Sequence, residues 1–194
     1  MMALMLISFI VFLLLGMPVA FAMAISGTLA LLGLGNVSWI LVPQRMFLAL
    51  NSFPFLAIPL FILAGELMNT GGITSRIVNF SNSLLRQFRG GLAYVNVVTN
   101  MIMAGFSGSA TADAVAIGSI MIPSMVDDGY PPEFAVGLTA SASCIGPIIP
   151  PSISMVMYGA ITGLSIGSMF LGGIIPGLLI GLGLMLIVWL NARK

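Results

Sequence analysis

The chain has 194 residues, of which 59% are hydrophobic and only 6% are charged, against about 25% charged in an ordinary soluble domain. Its formal net charge of +1, without a basic tract, gives no sign of nucleic-acid binding. With no histidine and one cysteine, Cys144, it lacks the means for intramolecular disulfides and the usual zinc, haem and serine–histidine sites. The composition predicts an all-α, polytopic membrane protein.

The first apolar run covers residues 3–34 and is interrupted by Gly16-Met17-Pro18. Because proline removes one helical hydrogen bond without forbidding the helix, we expect one long helix kinked at this point. A second span is predicted from about residue 53 to residue 68. Glu66, near its end, is expected to extend to the interface or to pair with an interfacial arginine.

Residues 73–89 place apolar side chains at helical spacing and arginines between them. This pattern predicts an amphipathic helix lying in the membrane interface. A helix packed against a soluble face is the alternative, but the chain offers almost no soluble portion for it to pack against. Residues 1–90 are therefore expected to form scaffold and arm helices.

Two apolar arms follow, at 91–105 and roughly 111–125. Each would be about 22 Å long as a helix, too short to cross a hydrocarbon core of about 30 Å. Together they predict a re-entrant hairpin over 91–126, with residues 106–110 as its tip. Irregular backbone is tolerated at membrane depth only where it is buried in protein or lines a polar cavity, so the tip indicates a binding site.

The next apolar segment, 134–163, is long enough to cross a membrane but is broken at 146–152 by three prolines and a glycine. It predicts a discontinuous transmembrane helix. With the hairpin it would make up half of a transport domain, residues 91–163. The remaining part, 164–194, is predicted to hold one final transmembrane helix, from 166 to 190.

Charge placement favours the hairpin over a single crossing at 91–126. With a hairpin, five of the six basic residues share one face of the membrane: Arg76, Arg86, Arg89, Arg193 and Lys194. A single crossing would divide them three and three, which fits the excess of positive charge on cytoplasmic loops less well. The base of the hairpin is accordingly predicted to be cytoplasmic.

The two interruptions carry the candidate chemistry. Proline at 147, 150 and 151 leaves the carbonyl groups of Ser143, Gly146 and Pro147 without their usual helical donors. Such neutral, hard oxygens suit an alkali cation, and sodium is the natural choice. At the hairpin tip the carbonyl pole of one arm and the amide pole of the other meet, so one point could hold both a cation and an anion. The tip groups available for such contacts are those of Ser107, Gly108, Ser109 and Thr111.

Simpler interpretations stand beside these. Small residues also allow close helix packing, and proline kinks occur without function, although paired interruptions are the better indicator of a transport site. Asp113 could carry a proton or bind a cation, but we favour a charge that complements the helix dipole, because a free carboxylate would repel an anionic substrate. Cys144 is interpreted as a small packing residue.

Three stretches resemble the large membrane subunit of tripartite ATP-independent periplasmic (TRAP) transporters: AIPLFILAGELMNTGGI at 57–73, MAGFSGSATADAVAIGSIMIPSM at 103–125 and IGPIIPPSI at 145–153. The resemblance runs over the whole chain but onto only the N-terminal half of that subunit, which normally carries a second, inverted repeat. The chain is therefore expected to be a fragment, a split subunit or one half of a transporter.

The resemblance implies a sodium-driven, elevator-type importer of organic acids such as dicarboxylates, sialic acid or keto acids. It further implies a bacterial inner membrane location, a small membrane subunit and a periplasmic binding protein as partners, and no cofactor beyond the coupling sodium ion. By this likeness sodium would be bound by Ser107, Ser109, Ser143, Gly146 and Pro147. The substrate would be bound by Ser107, Gly108, Ser109, Thr111, Pro150, Pro151 and Ser152.

Two other classes of function compete with a transporter. A passive channel or an assembly scaffold is compatible with the same residues. An intramembrane hydrolase is disfavoured, because Gly105-Phe106-Ser107-Gly108 continues with Ser109 where a nucleophile elbow needs glycine, and no histidine can serve as the base. The chain is therefore expected not to be an enzyme.

Overall fold

A computed structural model describes residues 2–33, 35, 38, 40–51 and 53–192. These residues form two compact units, Met1–Ser52 and Phe53–Lys194. Within the described residues the structure has ten helices: α1 (Met2–Leu14), α2 (Val19–Leu32), α3 (Leu41–Leu50), α4 (Phe53–Thr70), α5 (Ile73–Leu85), α6 (Gly91–Ser107), α7 (Ala110–Asp127), α8 (Pro132–Ser143), α9 (Ile153–Thr162) and α10 (Ile166–Asn191). The expected all-α architecture is confirmed; the functional division at residues 90 and 163 stays a prediction.

The first apolar run is a helical hairpin and not one kinked helix. A continuous helix would separate Met5 from Met23 by about 27 Å, yet the two side chains line the same cavity of about 240 Å³ between α1 and α2. Gly16, with φ +79°, adopts a left-handed conformation that lets the chain reverse. The prediction of a single helix over 3–34 was therefore wrong; Leu34 lies outside the described residues.

In the second unit α4 continues past the predicted end at residue 68 and then bends by 65° into α5. Gly72, at φ +74°, supplies the left-handed residue at this corner. α5 buries Val78 and Ser81 against the rest of the unit and leaves Phe80 and Leu84 exposed. An amphipathic helix is therefore present where the sequence predicts one, with Phe80 and Leu84 on its outer face and with Ile77 and Leu85 packed against the core.

Two of the described helices, α7 and α10, are long and apolar enough to cross a membrane, and the bent pair α4–α5 makes a third if it counts as one span. α10 closely matches the predicted final helix. It buries Gly173, Gly177 and Gly181, which lie four residues apart on one face. Arg193 and Lys194 lie outside the described residues, so the predicted charge distribution remains a prediction.

The helices α6 and α7 form an antiparallel hairpin, as the sequence predicts, but they are longer than the predicted arms, with 17 and 18 residues. Because α7 alone is long and apolar enough to cross a membrane, the re-entrant path stays a prediction. The amide Nδ2 of Asn96, near the start of α6, lies 3.4 Å from the sulfur of Met125, near the end of α7. The same amide donates to Thr139 Oγ1 on α8 at 2.7 Å. Asn96, Met125 and Thr139 are all buried, so these contacts hold α8 against the hairpin inside the core of the unit.

The segment after the hairpin is broken, as predicted. α8 ends at Ser143 and α9 begins at Ile153, with an irregular stretch between them that includes a cis peptide bond between Pro150 and Pro151. The part of α10 that carries Gly173 and Gly177 lies against this stretch, whereas Gly181 lies against Met101 of α6. A Cβ on Gly173 would overlap the carbonyl oxygen of Ile148, and a Cβ on Gly177 would overlap the side chain of Ile149.

Candidate functional site: the hairpin tip and the helix break

The hairpin tip is narrower than the predicted 106–110. α6 continues to Ser107 and α7 begins at Ala110, so only Gly108 and Ser109 connect them. Gly108 has φ +59°, a left-handed conformation that ends α6 and reverses the chain in one residue. Ser109 is extended and caps α7, because its Oγ accepts a hydrogen bond from the Ala112 amide at 3.4 Å.

Three hydroxyl groups crowd around this short connection. The Ser109 amide donates to Ser107 Oγ at 3.3 Å, and Ser109 Oγ lies 3.2 Å from Thr111 Oγ1. Ser107 is buried, whereas the serine–threonine contact is exposed. The tip therefore has one buried hydroxyl group, that of Ser107, and two more exposed ones, those of Ser109 and Thr111. All three lie beside the amide groups at the start of α7.

The break replaces helical hydrogen bonds with local ones. Ser143 O accepts from the Gly146 amide at 3.0 Å, and Pro147 O accepts from Ser152 Oγ at 2.6 Å. Ser152 Oγ also accepts from the Met155 amide at 3.2 Å and so caps α9. Two of the three carbonyl groups predicted to be free thus already have one donor, although a carbonyl oxygen retains a second lone pair for a cation.

The two interruptions touch. A Cβ placed on Gly108 would lie 2.7 Å from Pro151 O and 3.2 Å from Ser152 Cα, both backbone atoms of the break. On the other side, a Cβ placed on Gly146 would lie 3.2 Å from the carbonyl carbon of Ser109. Glycine at both positions permits this approach. The structure therefore brings the tip and the break into contact, as the pairing of the two interruptions predicts.

Asp113 lies at this junction, which the sequence interpretation did not foresee. It is in the first turn of α7, where its charge complements the helix dipole as expected, but it is only 1% exposed. A Cβ on Gly146 would lie 2.7 Å from its Oδ2. The Ser107 hydroxyl interacts with the carboxylate, yet no donor among the described residues meets hydrogen-bond geometry at either oxygen.

A buried carboxylate without hydrogen-bond partners is costly unless a cation or a proton compensates it. The Ser107 hydroxyl interacts with Asp113, and the same Cβ on Gly146 would lie 3.1 Å from the carbonyl oxygen of Ser143. Hydroxyl and carbonyl oxygens are ligands that hard cations prefer. The signal that could have pointed to Asp113 is the glycine at 146, because it leaves room for the carboxylate within the break.

The other predicted residues lie around this junction. Ser143 is buried, and its own Oγ donates to Ala140 O at 2.9 Å. Cys144 is exposed with a free thiol, contrary to the expected packing role. Thr111 lines a cavity of about 470 Å³ with Glu66, so Glu66 faces the hairpin.

The opposite end of the hairpin is built differently. Tyr130 and Phe134 stack there with ring centroids 6.0 Å apart, beside a cavity of about 390 Å³ between the base of the hairpin and the end of α10. Burial raises the pKa of the Tyr130 phenol above its ordinary value, so this hydroxyl stays neutral. None of the predicted site residues lines this cavity.

Comparison with known proteins adds a family relationship. The family model described as "Tripartite ATP-independent periplasmic transporter, DctM component" matches residues 6–194. The chain is 47% identical, over 92% of its length and 40% of the relative's, to the C4-dicarboxylate TRAP transporter large permease protein DctM of Vibrio cholerae.

Two further relatives carry different names. The sialic acid TRAP transporter permease protein SiaT of Haemophilus influenzae is 42% identical over 97% of this chain and 31% of its own length. The 2,3-diketo-L-gulonate TRAP transporter large permease protein YiaN of Escherichia coli is 42% identical over 92% of this chain and 42% of its own length. The chain thus spans well under half of each of these curated relatives.

Proposed function

The chain belongs to the DctM component family of tripartite ATP-independent periplasmic transporters, and from this premise we propose that it contributes half of the membrane subunit of a sodium-coupled importer of organic acids. Its relatives are named transporter permeases, which indicates a transporter and not an enzyme. The observation that carries the sodium coupling is the junction of hairpin tip and helix break around the buried carboxylate of Asp113.

Sodium would be held between the two interruptions. Asp113 supplies the negative charge of this site. Among the described residues neither of its oxygens has a donor in hydrogen-bond geometry, so a cation would compensate the cost of burying this charge. Carbonyl oxygens of Ser143, Gly146 and Pro147 would come from the break, and the hydroxyl groups of Ser107 and Ser109 from the tip. This set is hard and carries a single charge, which suits a monovalent cation.

The same geometry couples the cation to an anion. The amide groups that open α7 attract a carboxylate, whereas the Asp113 carboxylate in the first turn repels it. A bound sodium ion neutralises Asp113 and leaves the attraction, so the substrate binds well only after sodium. At the tip, the substrate carboxylate would contact Gly108, Ser109 and Thr111, with Ser107 beside them. In the break, the residues next to the substrate would be Pro150, Pro151 and Ser152.

The names of the three relatives specify a C4-dicarboxylate, sialic acid and 2,3-diketo-L-gulonate. Each is a carboxylic acid, and we propose an organic acid of this kind as the substrate here.

The hairpin α6–α7 would be re-entrant, with its base cytoplasmic, and α8–break–α9 would be the discontinuous transmembrane helix of an elevator-type transport domain. A second, inverted repeat would complete the site. The assembly would lie in a bacterial inner membrane with a small membrane subunit and a periplasmic binding protein. Support for this arrangement comes from the family membership and from the two helix interruptions that meet in one unit.

The test is uptake by the intact transporter, with its partner subunits and binding protein, reconstituted in proteoliposomes. Radiolabelled succinate, sialic acid and 2,3-diketo-L-gulonate are offered under an inward sodium gradient or under potassium. We expect one acid to accumulate only with sodium, and Ser107→Leu with Ser109→Leu to abolish accumulation. Ser83→Leu, at an exposed position of α5, is the matched control and should transport normally.

Uptake that is equal in potassium, or that equilibrates without accumulating, would contradict sodium coupling and favour the passive channel. No uptake of any acid by a folded, complete assembly would favour the scaffold.

A further inference from the structure

Glu66 faces the hairpin tip across open space. Two cavities meet on this side of the tip, one of about 180 Å³ and one of about 470 Å³, and both are lined by Glu66, Asn69 and Ala112. The smaller cavity reaches Ser107 and Ser109, and the larger reaches Thr111. Open space therefore extends from an exposed carboxylate to the hydroxyl groups of the tip.

The position of Glu66 follows from the helix it belongs to. Ile62, Glu66 and Asn69 are spaced by one helical turn, so α4 presents them on one face. Asn69 is fixed at the corner between α4 and α5, because its Oδ1 accepts from Thr74 Oγ1 at 2.6 Å. Gly65 leaves space beside the carboxylate, since a Cβ there would meet nothing within 4 Å.

The charge that lines these two cavities is negative. Among the described residues that line either cavity, Glu66 is the only one with a charged side chain. It forms no ion pair with any arginine in the described part of the chain, so of the two roles expected from the sequence the pairing with an arginine is not observed there. A carboxylate in a cleft with low-dielectric walls concentrates cations there and excludes anions.

The size of the smaller cavity fits a hydrated ion. At about 30 Å³ per water molecule, 180 Å³ holds roughly six of them. The exposed carboxylate lies at the outer end and the buried Ser107 at the inner end, next to Asp113. A hydrated cation moving along this path would lose its water ligands one at a time, and protein oxygens would replace them.

We propose that Glu66 is the cation-attracting residue at the mouth of the path by which sodium reaches the tip. This inference rests on the proposed sodium site and adds its route of access. Glu66 would increase sodium occupancy without contacting the bound ion.

The experiment measures sodium alone, so it needs no knowledge of the transported acid. The unfolding temperature of the purified, intact transporter is followed as NaCl replaces choline chloride at constant ionic strength, which gives an apparent sodium affinity. Glu66→Gln should raise the half-saturating sodium concentration roughly three- to tenfold. Glu133→Gln, an equal charge change in the first turn of α8, is the matched control and should leave that concentration unchanged.

The effect must depend on charge and not on shape. In a Cys144→Ala background, which removes the exposed thiol, Glu66→Cys is treated with an anionic or a cationic methanethiosulfonate reagent. The anionic reagent should restore the sodium affinity and the cationic reagent should weaken it further. This pair of measurements also decides the question if Glu66→Gln does not fold.

The outcomes separate the two proposals. Unchanged sodium affinity in Glu66→Gln, or equal effects of the two reagents, would overturn the role of Glu66 while the sodium site stands. If the wild-type transporter shows no sodium-dependent stabilisation at all, the proposed sodium coupling itself fails.

Discussion

Replacing Gly108 by alanine tests whether the tip and the break must touch. An L-residue in the left-handed conformation at φ +59° costs about 1–2 kcal/mol. The new Cβ would also lie 2.7 Å from Pro151 O and 3.1 Å from the Ile153 amide nitrogen. Because these are backbone atoms that cannot rotate away, overpacking adds about 1–3 kcal/mol.

The sum, about 2–5 kcal/mol, must be relieved by moving the tip away from the break. Even the lower value corresponds to a loss of sodium affinity of about thirtyfold, since 1.4 kcal/mol is a factor of ten. The assay is sodium-dependent thermal stabilisation of the intact transporter, with choline chloride as the ionic-strength control.

Gly105 provides a matched control three residues away. A Cβ at this position would meet only Pro150 O, at 4.0 Å, and alanine is favoured over glycine inside a helix by about 1 kcal/mol. Gly105→Ala should therefore keep or slightly increase stability and retain its sodium response. If Gly108→Ala responds to sodium at the same concentrations as Gly105→Ala, close contact between tip and break is not needed.

Three further changes test the packing around the site, each by thermal unfolding of the purified protein. Gly177→Ala should destabilise by about 1–3 kcal/mol, because its Cβ would overlap the side chain of Ile149. Gly183→Ala, with nothing within 4 Å, should keep or slightly increase stability. Equal behaviour of the two would refute the close approach of α10. Thr139→Val removes the oxygen that accepts from the buried Asn96 amide and should lower the free energy of unfolding by roughly 0.6–2 kcal/mol. Unchanged stability would mean that this hydrogen bond is unimportant. Ser152→Ala removes the cap of α9 and the donor to the Pro147 carbonyl. It should lower the free energy of unfolding by about 1–2 kcal/mol, and unchanged stability would contradict this role of Ser152.

The sequence was most informative where residue types restrict the backbone conformation. Glycine and serine between the two short arms predict a tip, and prolines 147, 150 and 151 predict a break, because these residues cannot continue a helix or do so at a cost. Both features are present in the structure. That they face one another could be suspected from their pairing, but their contact depends on two glycines whose partners lie far away in sequence.

The path of the first apolar run could not be predicted from local sequence alone. Gly16 and Pro18 are compatible with a kink or with a reversal, and only the packing of α2 on α1 decides between them. Residues 22 and 26 are small enough for close approach and are buried. This spacing indicates close packing, but it does not say which helix is the partner.

Asp113 and Glu66 were assigned by their position in a helix, and each has a neighbour that local sequence cannot supply. Asp113 faces Gly146 in the break, 33 positions later. Glu66 shares a cavity with Ser107 and Ser109, more than 40 positions later. The charge of a carboxylate is evident from sequence, whereas its partner is set by tertiary packing.

Equilibrium binding of ²²Na⁺ to the purified intact transporter, compared between the wild type and Asp113→Asn, tests the central claim most directly. If tip and break form a sodium site around this buried carboxylate, the wild type should bind sodium saturably, and the variant should bind at least about tenfold more weakly, since a charge-assisted ligand is lost. Sodium binding of equal strength in the variant would contradict the account.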